Sequence, residues 1–153
     1  MFGSVENETV ILSPIGTIVH DEWLRTPTIR KEVHLDDSIV MPEHFHAIVA
    51  IGTNPDEIPW YTGRSVGAHG SAPYPHETKG DNQENPTPRR PRSLSSLIAQ
   101  FKSVTTHQIN TLRGTPGRRV WQRGFDDRII RNVVQLDHYR AYIRNNPKSY
   151  RRA

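Results

Sequence analysis

The chain has 153 residues, which suits one domain with a moderate hydrophobic core. It has no cysteine, which excludes disulfide scaffolds, thiol catalysis and cysteine-bound zinc, and no run of about 18 apolar residues that would cross a membrane. Residues 1–88 carry 5 Lys and Arg against 13 Asp and Glu, a net charge of −8, whereas residues 89–153 carry 15 against 3, a net charge of +12.

This charge asymmetry favours a nucleic-acid partner. Arginine outnumbers lysine in the basic part, and arginine is suited to phosphate and base-edge contacts. A solvated basic face without a ligand is the alternative interpretation. The N-terminus is acidic and lacks the basic segment of a signal peptide, so we expect a cytoplasmic protein with no membrane partner.

The first elements in the chain are a short strand and a helix. Residues 10–12 form an apolar run that indicates a strand. Ser13 and Pro14 are typical of a helix start, and apolar residues recur at helical spacing through residues 14–25. Proline lacks an amide hydrogen, so we expect Pro27 to end this helix.

A β-hairpin is predicted next, followed by an insertion. Residues 32–41 alternate loosely in polarity, and residues 44–51 indicate a second strand that could pair with them. Pro42 and Glu43 between the two suit a bend. Residues 53–92 then show no periodicity and hold seven prolines. Such a segment buries too little apolar surface to order itself, so we expect a disordered insertion at residues 53–92 within a single domain spanning residues 1–153.

A long helix opens the basic part of the chain. Ser93 suits its N-cap, apolar residues form one stripe along residues 94–112, and Gly114 suits its end. Two short segments with apolar centres, residues 118–122 around Trp121 and residues 128–131, predict strands.

The last predicted element is a helix over residues 133–145. Asn132 with Gln135 resembles a capping box. Pro147 disfavours helical geometry at Asn146, so we expect the helix to end there. Helices packed on one face of an antiparallel sheet, an α+β fold, are the economical arrangement of these elements.

The sequence His44-Phe45-His46 is the first candidate site. Alternate side chains of a strand share a face, so both imidazoles point one way and Phe45 points the other. Two imidazoles side by side form half of a site for a divalent metal. Two exposed histidines without a metal are the alternative, because two ligands are too few for a site.

The second candidate site lies on the last predicted helix. His138, Tyr142 and Asn146 are spaced four residues apart, so they share one side of that helix. A tyrosine there can attack a phosphorus centre if a metal or base activates its oxygen. The alternative is a tyrosine that packs at the boundary of the core.

Together these motifs resemble the REP-associated tyrosine transposases, relatives of the single-tyrosine transposases of insertion sequences. The segment at residues 41–48 is similar to the family's HUH strand. Further similar blocks, in the same order, are found at residues 2–3, 22–27, 93–110, 121–124, 129–132 and 142–147. The resemblance covers most of the chain outside residues 53–92.

The resemblance implies a function and a role for matching residues. It implies a ferredoxin-like HUH transposase fold and cleavage of single-stranded or hairpin DNA. Tyr142 would be the nucleophile that forms a 5′-phosphotyrosine link, and His44, His46 and Asn146 would hold Mg²⁺ or Mn²⁺. The residues that we expect to contact the DNA backbone are Arg89, Arg90, Arg92, Lys102, Arg118, Arg119 and Arg123.

One departure from the family pattern leaves a second function open. Family members usually have another strand before the position of Phe2, beside the HUH strand, and we expect this strand to be absent here. The alternative function is therefore an inactive, truncated or domesticated remnant that binds DNA without cleaving it. A small metal-dependent hydrolase of other substrates fits the histidines but not the charge asymmetry. The sequence leaves a monomer and a homodimer both open.

Overall fold

The computed structural model of the protein describes residues 1–52 and 92–150. Apart from Arg92, the insertion predicted at residues 53–92 lies outside this part of the chain. The described residues form an α+β fold with two small antiparallel sheets, β1–β2 and β3–β4, and three helices. The elements are β1 (Gly3–Glu6), β2 (Thr9–Leu12), α1 (Pro14–Ile29), β3 (Val33–Val40), β4 (Phe45–Ile51), α2 (Leu94–Arg113) and α3 (Val133–Ser149).

Each of the three helices begins directly after the N-cap residue that the sequence predicted. Ser13 accepts a hydrogen bond from the Gly16 amide through its hydroxyl, and Ser93 forms a reciprocal capping box with Ser96. Asn132 accepts from the Gln135 amide at 2.9 Å. These bonds satisfy amide groups that have no partner within the first helical turn. Within residues 1–52 and 92–150, no helix is both long enough and apolar enough to cross a membrane.

The predicted ends of α1 and α3 were wrong. α1 continues past Pro27 to Ile29, and α3 continues past Pro147 to Ser149. Both prolines stand in the last turn, where the missing amide removes a single helical bond. In α1 the next turn still closes, since the Arg30 amide donates to the Thr26 carbonyl at 2.9 Å.

Two predicted strands are absent from the described residues, and one strand was missed. Residues 118–122 and 128–131 form neither strand nor helix, because side-chain packing holds them and no ladder of backbone bonds forms. Trp121 and Ile130 are partly buried, each against a hydrophobic cluster, whereas Ile129 is exposed. The sequence did not predict β1, because its four residues contain only one apolar side chain.

The β3–β4 hairpin is covered on both faces, which corrects the prediction that all helices lie on one face. On one face Val33 and Val40 of β3 join the main core with α1 and α2. On the other face Ile48 of β4 packs with Leu136 and Ile143 of α3 in a smaller cluster. The alternation of side chains along β4 makes both contacts possible.

The start of the chain is fastened to the turn of this hairpin. The Phe2 amide donates to the Pro42 carbonyl at 2.6 Å, and the buried Phe2 ring lies 5.0 Å from the Trp121 ring. The first turn of α1 approaches the Phe2 backbone closely at Gly16. A side-chain carbon at Gly16 would overlap the Phe2 carbonyl oxygen.

We therefore expect Gly16→Ala to lower the free energy of unfolding by about 2 kcal/mol, because a backbone carbonyl cannot move aside cheaply. The midpoint of urea denaturation measures the effect. Gly52→Ala is the matched control, since nothing lies within 4 Å of a carbon added there. Equal midpoints for the two variants would contradict the close approach.

Candidate active site

The orientation of the two histidines is set by the residue between them. Phe45 lies in the main core, with its ring 5.1 Å from the Trp23 ring and 5.5 Å from the Phe101 ring. Because neighbouring strand residues face opposite sides, His44 and His46 lie on the face away from this aromatic core. Their ring centres are 4.8 Å apart.

Helix α3 brings Tyr142 to this pair. The Tyr142 ring lies 5.4 Å from the His46 ring in an edge-to-face arrangement, and 51% of Tyr142 is exposed to solvent. Packing at the core boundary therefore describes only part of the Tyr142 surface. The ring contacts His46, and half of the residue remains accessible to solvent. His44, His46 and Tyr142 form a cluster drawn from distant parts of the sequence.

The protonation of His46 suits metal binding. Burial lowers the pKa of His46 below its ordinary value, and the neighbouring His44 lowers it further. The imidazole is therefore neutral at neutral pH, with a ring nitrogen lone pair available to a ligand.

Asn146 lies one helical turn beyond Tyr142, on the same flank of α3. Only 8% of Asn146 is exposed. In the part of the chain that the structure describes, no three His, Cys, Asp or Glu residues are grouped so that they could hold a metal ion. The geometry brings His44, His46 and Tyr142 together and places Asn146 one helical turn from Tyr142.

The opposite flank of α3 is held by two aspartates in β3. Arg140 donates through Nε to Asp36 Oδ1 at 2.7 Å and through Nη2 to Asp36 Oδ2. Arg144 donates through Nε to Asp37 Oδ2 at 2.7 Å. The hydrogen bond to Asp36 raises the pKa of Arg140 above its ordinary value. Sequence reasoning missed these pairs because their partners lie more than 100 residues apart.

A β-bulge turns both aspartates toward α3. Leu35 pairs with Val49 and Ser38 pairs with Ala47, so Asp36 and Asp37 together face the single residue Ile48. In a regular strand, one of the two would point into the main core. The extra residue lets both carboxylates face the side on which α3 packs.

The basic residues expected to bind DNA fall into three groups. Lys102, Arg118, Arg119 and Arg123 line an open groove of about 930 Å³ between α2 and residues 114–124. Arg92 precedes α2 and is not among the residues that line this groove. Arg89 and Arg90 lie outside the described residues.

Polar side chains of α2 hold the groove in shape. Asn110 donates through Nδ2 to the Arg118 carbonyl at 2.7 Å, and Thr105 accepts from the Trp121 indole at 2.9 Å. Lys102 donates to the carbonyls of Gln122 and Gly124. The ammonium group of Lys102 thus fastens the loop. Trp121 is partly buried against the main core and also lines the groove.

The comparisons with known proteins name no activity for this arrangement. No protein-family model matches the chain. No solved structure matches it. A protein of Haemophilus influenzae, whose name "Uncharacterized protein" states no activity, is 24% identical over 147 residues, which cover 96% of this chain and 72% of the relative.

We expect Asn110→Ala to loosen the groove loop. Losing the bond to the Arg118 carbonyl costs about 1 kcal/mol, so trypsin should cleave after Arg118 and Arg119 about five to ten times faster under native conditions. Limited proteolysis with mass analysis of the fragments measures this rate. Gln108→Ala is the control, because Gln108 bonds to Glu22 of α1 and not to the loop. Equal cleavage in both variants would contradict the anchoring role of Asn110.

Proposed function

We propose that this protein is a metal-dependent, single-tyrosine HUH enzyme that cleaves single-stranded DNA, similar to the REP-associated tyrosine transposases. The observation that carries the proposal is the contact of Tyr142 with His46, 5.4 Å between ring centres. This contact unites the two motifs that were weak when taken separately. It places an accessible phenol beside the two imidazoles.

The α+β fold supports the finer proposal of a ferredoxin-like HUH fold. The histidine strand lies in a hairpin, and the helix with the tyrosine packs on the face that the histidines share. Among the described residues β4 pairs only with β3. The other edge of β4 is where the additional strand of the related enzymes would pair.

The proposed reaction is an in-line displacement at a DNA phosphate. The Tyr142 oxygen forms a bond to phosphorus, and the bond from phosphorus to the 3′ oxygen breaks. The phenolic proton passes to water, and the departing 3′ oxygen takes a proton from water. The products are a 5′-phosphotyrosine link and a free 3′-hydroxyl, so the energy of the phosphodiester is kept for strand transfer.

The donor set of the site fits a divalent cation. His44, His46 and Asn146 would hold Mg²⁺ or Mn²⁺, and the imidazoles favour Mn²⁺ because Mg²⁺ prefers oxygen ligands. Such an ion would neutralise charge on the scissile phosphate. Three protein ligands leave coordination positions open for that phosphate.

With a labelled hairpin oligonucleotide and Mn²⁺, we expect a covalent protein–DNA adduct that Tyr142→Phe abolishes, because only the phenolic oxygen can form the ester. Denaturing gel electrophoresis detects the adduct. Tyr139→Phe is the matched control on the same helix, because Tyr139 packs against the α3 cluster and should keep the adduct.

The metal assignment is tested in the same assay. Removal of the cation by EDTA and the variant His46→Ala should each suppress the adduct, while His20→Ala on α1 should not. An adduct that persists in Tyr142→Phe would contradict the assignment of Tyr142 as the nucleophile. Full activity in EDTA would contradict the assignment of a bound metal ion.

A second candidate function is DNA binding without cleavage. The basic groove favours it, because none of the residues that line the groove belongs to β4 or α3. The groove is therefore a surface separate from the histidine–tyrosine cluster, and it can bind a phosphate backbone without any reaction. A DNA strand that is both bound and cleaved would extend from the groove to Tyr142.

Single substitutions of Arg118, Arg119 and Arg123 to Gln should weaken binding of single-stranded DNA. Each lost phosphate contact should reduce the slope of log affinity against log salt by about 0.7. Fluorescence anisotropy over a range of salt concentrations measures this slope. Arg25→Gln is the charge-matched control, since Arg25 pairs with Glu22 on α1 and lies outside the groove. A slope unaffected in all three variants would remove the groove from the DNA surface.

A further inference from the structure

Helix α3 has three distinct surfaces, and their order around the helix is informative. Each residue turns the helix by about 100°, so the buried stripe through Leu136 and Ile143 has Arg140 and Arg144 on one flank and Tyr142 on the other. The stripe packs on Ile48 of β4. A rotation of α3 about its axis would therefore move Tyr142 relative to His46.

The apolar contact alone fixes this rotation poorly. Among the described residues, the cluster between α3 and the hairpin has three buried members, Ile48, Leu136 and Ile143. Apolar packing has no preferred direction, so it tolerates small rotations of the helix. The two arginine–aspartate pairs supply direction. Arg140 meets Asp36 through two parallel bonds, which fixes the plane of the guanidinium against the plane of the carboxylate.

The two pairs are not equivalent. The Asp36 side chain is 8% exposed and that of Arg140 28%, whereas Arg144 is 69% exposed beside Asp37. Water screens the second pair more strongly than the first. Asp36 with Arg140 is therefore the pair that holds the helix, and Asp37 with Arg144 adds a weaker contact one turn along.

We infer that Asp36, assisted by Asp37, is a positioning residue for the nucleophile, and that the β3 bulge exists to turn both carboxylates toward α3. This role rests on the proposed function, because Tyr142 needs a fixed distance from the metal-binding histidines only if it attacks a phosphate there. The two aspartates act on Tyr142 through the arginines and do not contact the substrate.

The matched pair of variants is Asp36→Asn and Asp137→Asn. Each removes one carboxylate that pairs with Arg140, but Asp137 belongs to α3 itself and cannot connect the helix to the hairpin. Arg140→Lys tests the same link from the helix side, since it keeps the charge and loses the double contact.

Two measurements do not depend on catalysis. Hydrogen exchange of the α3 amides should rise by about tenfold or more in Asp36→Asn while that of α2 stays unchanged. The ring resonances of Tyr142 should shift toward the values found in His46→Ala, where the neighbouring ring is missing. Asp137→Asn should alter neither quantity.

The third measurement is the rate of adduct formation at saturating hairpin DNA with Mn²⁺. A misplaced nucleophile should lower this rate by about 10- to 100-fold in Asp36→Asn, with the DNA dissociation constant unchanged within about twofold. Arg140→Lys should show the same pattern at smaller size.

The outcomes separate this inference from the proposed function. No adduct with the unsubstituted protein would sink the proposed function, and the exchange and resonance data would still decide whether Asp36 holds Tyr142 against His46. Exchange that rises equally in α2 and α3 would overturn the inference, because it indicates general loss of stability. So would an Asp36→Asn protein that matches Asp137→Asn in all three measurements.

Discussion

The packing of the β3–β4 hairpin on both faces is the constraint on which the rest of the structure depends. One face closes the aromatic core with α1 and α2, and the other receives α3. Each side chain of β4 therefore points into one of two environments. Phe45 points into the core, so His44 and His46 point to the opposite face, where Tyr142 also lies.

Local patterns were enough to predict most of the fold that carries the site. The helix starts, the hairpin and the opposite orientation of Phe45 and its neighbouring histidines follow from caps and from alternation along a strand. The proximity of Tyr142 to His46 did not follow from local patterns. The resemblance to a transposase family suggested it, and the structure places the two rings in contact.

The errors have two physical origins, the geometry of the last helical turn and tertiary contacts. Proline is a poor guide to a helix end when it stands in the last turn, as at Pro27 and Pro147. The segment around Trp121 looked like a strand because its centre is apolar, but side chains of α2 hold it instead. Lys102 and Asn110 donate to its carbonyls, and Thr105 accepts from the Trp121 indole. The bulge at Asp36 leaves no local mark, since two adjacent aspartates are equally typical of a turn.

The bulge also makes this strand tolerant of a change in length at one point. Val33 and Val40 face the same core although seven positions separate them, because Asp36 and Asp37 together oppose the single residue Ile48. Loss of either aspartate would restore a regular ladder and leave both valines in the core, with one carboxylate fewer facing α3. A one-residue deletion elsewhere in β3 would instead turn every residue on one side of it to the opposite face. We expect homologues that differ in the length of this strand to differ between Leu35 and Ser38.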